Sequence, residues 1–440
     1  MRADDLRAAR KAKSWTVTQL IHALNKAAEP QGIRLMSPAS LKVAISRWEN
    51  GHTKPDDLHS RLLAEVLDIP QTSAVLDRGL EYQQDPAVSV SLLYALADSD
   101  IHNDATLLST PTQTAFDAQV VTGYLFAHSP ALEPESFGAI RSVLMAERIR
   151  QTAAAMMASD FEHGGGHVRR ALLNFFRAEV VPQLKAYHPE HVRREIFSAA
   201  AEVTQLLGWS AYDAGRHQAA VRYFVQGLKL AEEAHDHLLG ARLLANLSHQ
   251  ANFLGRFSEA VMYARASQSA LRGRGTKTVE TMCVMMEARG LASLADQRGA
   301  AAAIHRAEQL FEQRTGNEPT WISYYDPAEL SGDAAHCFRD LRIAPQTTMF
   351  TAAALTPETP PRTRAFIQMV SAEAALFGGD LEEAGFLAAE AVKNGDGLQS
   401  ARYIRYLADF RQALPRTAAG HPALEEFTHL LKTTYPELAA

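Results

Sequence analysis

A stretch in the middle of the chain, residues 212–220 with the sequence YDAGRHQAA, returns 40 positions later as NFLGRFSEA at 252–260. Further copies are LADQRGA at 294–300, a degenerate copy at 341–347, and LFGGDLEEA at 376–384. The clean copies combine a glycine turn with a following alanine, between segments whose apolar residues have helical spacing. Glycine suits the left-handed cap of a helix, and alanine lets a second helix approach the first. Such amphipathic hairpins cannot bury their apolar faces alone, so the pattern predicts a stack of helix pairs.

The composition is that of an ordinary globular protein, with 47% hydrophobic and 21% charged residues among 440. Only two cysteines occur, Cys283 and Cys337, which excludes a disulfide scaffold and a four-cysteine metal site and suits a reducing cytoplasm. We find no apolar signal core at the N-terminus and no run of about 18 apolar residues, so we expect no membrane span. No alternating strand pattern appears, and the sequence predicts an all-α, cytoplasmic protein.

Charge is distributed unevenly along the chain. Residues 1–54 contain ten Lys and Arg against four Asp and Glu, so this segment carries +6 while the remainder carries −12. A basic head on an acidic body favours contact between the head and a polyanion. The alternative is chance clustering of charges on a solvated face.

The basic segment contains a short helix with two distinct faces. A stripe of apolar residues at 17, 20, 21 and 24 predicts a helix before it. Ser37 and Pro38 suit the start of the next helix, and Asn50 and Gly51 suit its end. One face of this helix is apolar: Leu41, Ala44, Ile45 and Trp48. The opposite positions are Lys42, Val43, Ser46 and Arg47.

The string ISRWENGHTKP at 45–55 resembles the signature that follows the recognition helix in the XRE family of helix-turn-helix proteins. The resemblance implies a small helical bundle that lays one helix in the DNA major groove. Its base-facing residues would be Lys42, Val43, Ser46 and Arg47, and its phosphate contacts would be Arg34, Ser40, Asn50, Thr53 and Lys54. The alternative for Arg47 is a surface ion pair with Glu49 or Asp56. The sequence departs from the family where about a dozen residues, 27–37, replace the usual tight turn.

The repeats resemble those of the tetratricopeptide (TPR) family, although their period is nearer 40 than about 34. Two of them match the family's small and aromatic positions: Gly215, Ala220, Phe224 and Gly227 in one, and Gly379, Ala384, Ala388 and Ala391 in the other. The resemblance implies an N-terminal helix-turn-helix bundle followed by a TPR-like α-solenoid. We place the DNA-binding domain at 1–75, a helical or linker segment at 76–114, and the repeat domain at 115–440, clearest at 200–415.

A helix-turn-helix head on a TPR-like body is similar to transcription regulators of filamentous soil bacteria, as are the strings at 208–215 and 321–330. It is also similar in architecture to peptide-sensing quorum regulators. That resemblance implies a ligand on the concave face, lined by the first helix of each repeat. The residues expected there are Gln205, Trp209, Tyr212, Arg242, His249, Asn252, Met285, Arg289, Glu329, His336, Arg339, Met369 and Glu373. The alternative is that Trp209 and Tyr212 pack between repeats and no groove is open.

The sequence therefore predicts a DNA-binding transcription regulator that binds a palindromic operator as a homodimer and responds to a small-molecule or peptide effector. It contains no Walker loop, no HExxH motif and no catalytic constellation, so we expect neither enzymatic activity nor a cofactor. The alternative is a scaffold in which the repeat domain binds a protein partner and the head tethers it to DNA.

Overall fold

In a computed structural model the chain divides into two compact units, residues 1–78 and 79–440. The structure describes residues 3–13, 15–28, 35–50, 52–53, 55–67, 85–103, 116–126, 139–163, 165–271, 273–415 and 421–438. Helices are the regular elements throughout these ranges and no strand occurs in them, which confirms the predicted all-α class. None of the helices described here is sufficiently long and apolar to cross a lipid bilayer.

The described part of the first unit consists of helices around a single apolar core. They are α1 (Ala3–Ala12), α2 (Val17–Ala28), α3 (Pro38–Glu49) and α4 (Asp57–Leu67). The predicted cap of α3 is confirmed, since the Ser37 hydroxyl accepts a hydrogen bond from the Ser40 N–H at 3.2 Å. The core side chains include Leu6, Leu20, Ile21, Leu24, Leu41, Ile45, Trp48, Leu62, Leu63 and Leu67. The helical spacing of these residues gives each helix one buried face.

The second unit begins with helices that precede the repeats. They are α5 (Pro86–Ile101), α6 (Phe116–Phe126), α7 (Ala139–His163), α8 (Gly165–Phe175), which continues through a π-helical turn (Phe176–Val180), and α9 (Val181–Lys185). Helix α5 falls in the segment 76–114. Its Asp100 accepts a hydrogen bond from the guanidinium of Arg169 and another from Arg216 at 2.9 Å. These contacts with later helices make α5 an integral part of the second unit.

The rest of the second unit is a series of helices, of which the first ten pack in consecutive pairs. They are α10 (Glu190–Asp213), α11 (His217–Glu233), α12 (His237–Phe253), α13 (Phe257–Ala270), α14 (Lys277–Ser293), α15 (Gln297–Glu312), α16 (Pro327–Asp340), α17 (Ala344–Ala354), α18 (Pro361–Gly378), α19 (Leu381–Asn394), α20 (Ala401–Ala413) and α21 (Glu425–Thr434). Short 3-10 turns lie at Thr320–Ile322, Pro422–Leu424 and Pro436–Leu438. Each sequence repeat therefore coincides with the junction of one helix pair.

The turn inside each pair contains a residue in the left-handed conformation. Glycine fills this position at Gly215, Gly255 and Gly379, with φ between 74° and 90°. The expected turn glycine of the third copy, Gly299, lies instead in the first turn of α15, where its N–H donates to the Asp296 carboxylate at 2.9 Å. Ala295, 40 residues after Gly255, holds the left-handed position with φ 61°. The left-handed turn therefore keeps the 40-residue spacing at Ala295, whereas the turn of the degenerate fourth copy, at Arg342 with φ 57°, does not keep it.

One buried aspartate connects the beginning of the repeat series to its end. Asp213, the last residue of α10, is fully buried and accepts a hydrogen bond from the Ser400 hydroxyl at 2.8 Å. The guanidinium groups of Arg362 and Arg402 lie 3.0 and 2.8 Å from the same carboxylate oxygen. Helix α20 thus packs directly against α10, although their residues are nearly 190 positions apart in sequence.

Candidate functional site

Helix α3 of the first unit has one buried and one exposed face. Leu41, Ile45 and Trp48, spaced four and three residues apart, are buried in the core of this unit. The opposite face exposes the predicted residues Ser40, Lys42, Val43, Ser46 and Arg47. Val43 is the most exposed apolar side chain of this face, at 61%. The face combines two cations, two hydroxyls and a methyl surface within about two helical turns.

The C-terminal end of α3 is fixed by ionic contacts with α1. The guanidinium of Arg10 donates to both carboxylate oxygens of Glu49, at 2.6 and 2.9 Å, and the hydrogen bond to Glu49 raises the pKa of Arg10. The side-chain amide of Asn50 donates to the Ser46 carbonyl at 2.7 Å and accepts from Arg7. These contacts fix the C-terminal end of α3 against α1.

The contacts of the acidic residues bear on the alternative role of Arg47. Glu49 is engaged by Arg10, and the Asp56 carboxylate lies 2.7 Å from the Nδ1 atom of His59. Among the described residues the Arg47 guanidinium has no ion-pair partner. Thr53 is exposed near the end of α3 and lines a shallow groove together with Ser40, Val43 and Arg47. The predicted phosphate contacts Arg34 and Lys54 lie outside the described residues.

A cavity of about 160 Å³ lies inside the second unit. The first helices of successive pairs line it, together with the segment around the 3-10 turn at Thr320–Ile322. The predicted groove residues that line it are Gln205, Trp209, Arg242, His249, Arg289, Glu329 and His336. A neighbouring cavity of about 600 Å³ shares His249 and Arg289 and is lined by the predicted Asn252, Arg339 and Glu373.

Three residues expected on the groove lie elsewhere. Met285 is fully buried and lines neither cavity, whereas Met282, Met286 and Arg289 of the same helix do. At about 100° per residue, position 285 lies roughly 60° to one side of that face, and this part of the prediction is wrong. Met369 is likewise a fully buried core residue.

Tyr212, the third of these residues, lies behind the cavity wall. Its side chain is fully buried, and its hydroxyl lies 3.0 Å from Nδ1 of His249. Its ring meets the edge of Trp209 with 5.5 Å between the ring centres. Tyr212 therefore packs between helices, as the alternative interpretation held, while Trp209 both packs against it and lines the cavity. Burial raises the pKa of Tyr212, so its hydroxyl stays protonated.

The centre of the cavity contains a chain of buried hydrogen bonds. Arg289 donates to Asp333 at 3.0 Å and lies 3.2 Å from Nε2 of His249, and the Tyr325 hydroxyl donates to Asp333 at 2.8 Å. Burial, followed by the charge of Arg289, lowers the pKa of His249 well below its usual value. His336 has a lowered pKa for the same reasons. Both imidazoles are therefore neutral and can accept or donate hydrogen bonds.

Glu329 brings a carboxyl group to the same cavity, and no ion-pair partner for it lies among the described residues. Burial, and then the charge of Asp333, raises the pKa of Glu329 to about 8. At neutral pH the group is therefore mostly protonated and can donate a hydrogen bond to a ligand rather than carry charge. Asp333, one helical turn further along α16, also has a raised pKa because of burial.

Several residues that line the cavity were not predicted from the sequence. They are Tyr325, Asp333, Arg362, Phe366, Arg402 and Tyr406. Asp333 could have been found, since it lies four residues after Glu329 and three before His336 on one helix face. Arg402 could not, because its helix follows the last recognisable repeat and reaches the cavity only through the packing of α20 on α10.

No protein-family model and no curated protein sequence matches the chain. Within the described ranges, no group of three or more His, Cys, Asp or Glu side chains is arranged to hold a metal ion. The described residues present an exposed basic helix face in the first unit and a cavity with both polar and apolar walls in the second.

Proposed function

We propose that the protein is a DNA-binding transcription regulator of the XRE helix-turn-helix type with a TPR-like sensing body. The observation that carries the proposal is the exposed face of α3, which presents Lys42, Val43, Ser46 and Arg47 while its other face is buried. An α-helix fits the DNA major groove, and a rigidly held helix can bring its outward side chains to the base edges.

Each side chain on this face has a distinct expected partner. Arg47 can donate two parallel hydrogen bonds to the O6 and N7 atoms of guanine, and Val43 can contact a thymine methyl group. Lys42 can reach a guanine or a phosphate, and Ser40 at the first turn of α3 suits a phosphate. The hydrogen bonds of Asn50 to Ser46 and Arg7 favour a positioning role for Asn50 at the end of the helix.

The second unit is assigned the roles of dimerisation and ligand sensing. One head offers a small interface, so specific binding requires two heads on a palindromic site. The consecutive helix pairs and their 40-residue turn spacing support a TPR-like repeat body. Its interior cavity supports a sensing role, because buried polar groups around a cavity suit a small ligand.

The test is selection of genomic fragments on the purified full chain at a stated salt concentration, with Arg47→Ala and Lys26→Ala compared in the same assay. Lys26 is an exposed cation on α2, away from the base-facing set, and is the matched control. The wild type should enrich an inverted repeat. Loss of Arg47 should cost about 1–3 kcal/mol at one base position, while loss of Lys26 should leave base preference unchanged.

Two results would contradict the proposal in different ways. Enrichment without a motif, together with steep loss of binding as salt rises, would mean only nonspecific charge binding and would favour the scaffold role for the second unit. If wild type and Arg47→Ala enrich an inverted repeat with identical base preferences, the protein recognises specific DNA, but α3 is not the helix that contacts the bases.

A further inference from the structure

Arg242 of α12 is a buried cation on the wall of the 160 Å³ cavity. Its side chain is 5% exposed, and burial lowers its pKa. The guanidinium lies 4.7 Å from the ring centre of Trp321 and 5.8 Å from that of Tyr324. One of its terminal nitrogens donates a weak hydrogen bond to the Met157 sulfur, at 3.9 Å. The aromatic rings therefore cover the plane of the guanidinium, and the Tyr324 side chain is also its hydrogen-bond partner, while the Nε–H is left for another partner.

The carboxylate of Glu202, whose charge acts on Arg242, is held by another arginine. Glu202 is hydrogen-bonded to Arg150 at 3.1 Å, and among the described residues Arg242 lies in no ion pair. Its Nε–H is buried without a hydrogen-bond acceptor in the described part of the chain. A buried guanidinium without a carboxylate in direct contact is unfavourable, so an anion supplied from outside would bind there with an electrostatic gain.

The charges of the other groups around the cavity also favour an anionic ligand. Of its other guanidinium groups, Arg289 is paired with Asp333, while Arg362 and Arg402 share the single carboxylate of Asp213. Glu329 adds no negative charge at neutral pH, because it is mostly protonated. The described groups around the cavity therefore carry an excess of positive charge, which selects for an anionic ligand.

The remaining wall indicates the body of that ligand. Leu206, Trp209, Met286, Phe366 and Ile367 supply apolar and aromatic surface. A cavity of about 150 Å³ accepts a molecule the size of benzene, so this one suits a single ring or a short branched chain. A second unpartnered atom, Oε1 of Gln205, is buried on the same wall and can accept a hydrogen bond from a hydroxyl or amino substituent.

We infer that the cavity of the second unit binds a small organic carboxylic acid with an aromatic or branched apolar body, whose carboxylate pairs with Arg242. The inference deepens the sensing role proposed above and rests on it for its biological meaning. A monocarboxylate suits Arg242, because its two oxygens can accept the parallel N–H groups of one arginine edge.

The test is titration of the full chain with benzoate, benzamide and benzylamine at neutral pH, in the absence of DNA, followed by calorimetry and thermal unfolding. Benzoate should bind and raise the unfolding temperature, whereas the neutral and cationic analogues of the same shape should not. Arg242→Met should weaken benzoate binding by at least about 30-fold, since one partner of a buried charge pair is lost. Arg298→Gln, which removes an exposed arginine on α15, is the matched control and should bind like the wild type.

Thermal unfolding without ligand separates a binding role from a structural one. Removing an uncompensated buried charge should leave the unfolding temperature of Arg242→Met equal to or above that of the wild type. Equal binding of benzamide and benzoate, unchanged benzoate binding by Arg242→Met, or no binding of benzoate at millimolar concentration would each overturn the inference. Because this assay contains no DNA, none of these outcomes bears on the proposed operator binding, which is tested separately.

Discussion

Replacing Glu49 by glutamine should destabilise the first unit without altering the outward face of α3. The carboxylate is 7% exposed and is held by two hydrogen bonds from Arg10, which is itself 14% exposed. Breaking a buried ion pair by neutralising one partner costs about 3–5 kcal/mol, and we take about 3 for this partly buried pair. A unit of 78 residues has a total stability of about 4–12 kcal/mol, so the loss is a quarter or more.

Hydrogen exchange of the full chain measures this loss locally. A decrease of about 3 kcal/mol should speed the exchange of protected amides in α3 by roughly 150-fold, while amides in α12 of the second unit stay unchanged. The double variant Arg10→Met/Glu49→Met should recover most of the protection, because no buried charge is then left without its partner.

The result that would refute this reasoning is equally specific. If Glu49→Gln speeds exchange in α3 by less than about threefold, the pair contributes no more than an exposed ion pair would. If the double variant is less protected than the single one, the packing of the two stems rather than their charges stabilises the contact.

The turns and the cavity give further predictions. Gly379→Ala, which forces φ 90° on alanine, should lower the free energy of unfolding by about 1 kcal/mol in urea denaturation, whereas Gly378→Ala in the adjacent helix should not lower it. Ala295→Gly, at an exposed left-handed position, should raise the free energy of unfolding by up to about 1 kcal/mol, because alanine is strained in this conformation. A decrease in the free energy of unfolding would contradict this. The pKa of the Glu329 carboxyl is raised from 4.5 to about 8 by folding. Its contribution to the free energy of unfolding is therefore largest below about pH 4.5 and is lost as the pH rises through 8. Glu329→Gln should therefore gain thermal stability relative to wild type over that range, and a constant difference between the two would contradict it.

The repeats and the helix faces are features that sequence can predict well. Helical spacing placed Leu41, Ile45 and Trp48 in a core, and the Ser37-Pro38 pair marked the start of their helix, because caps and periodicity are local properties. The 40-residue period located the turns, although it assigned a glycine where Ala295 holds the left-handed conformation. Local sequence does not reveal an alanine held in that conformation by the helices on either side.

The cavity was predicted less completely, for a physical reason. Repeat register gives the face of each first helix, and it correctly brought Trp209, Arg242, His249 and Arg289 together. The register was too coarse to distinguish Met285 from Met286, which differ by about 100° around the helix. Charge compensation cannot be seen in sequence at all, since it depends on which carboxylate each arginine reaches across helices.

The contact of Asp213 with α20 has a consequence for how the second unit folds. In an open repeat array each unit touches only its neighbours, so folding can start anywhere and spread along the chain. Here a carboxylate near the start of the series is satisfied by Ser400, Arg362 and Arg402 near its end. Closing a loop of this length is entropically costly and contributes nothing until both ends are in place. The contact between the two ends should therefore form late in folding, and the second unit should fold as a single cooperative body. A chain that lacks the last two helices should lose order in α10 as well.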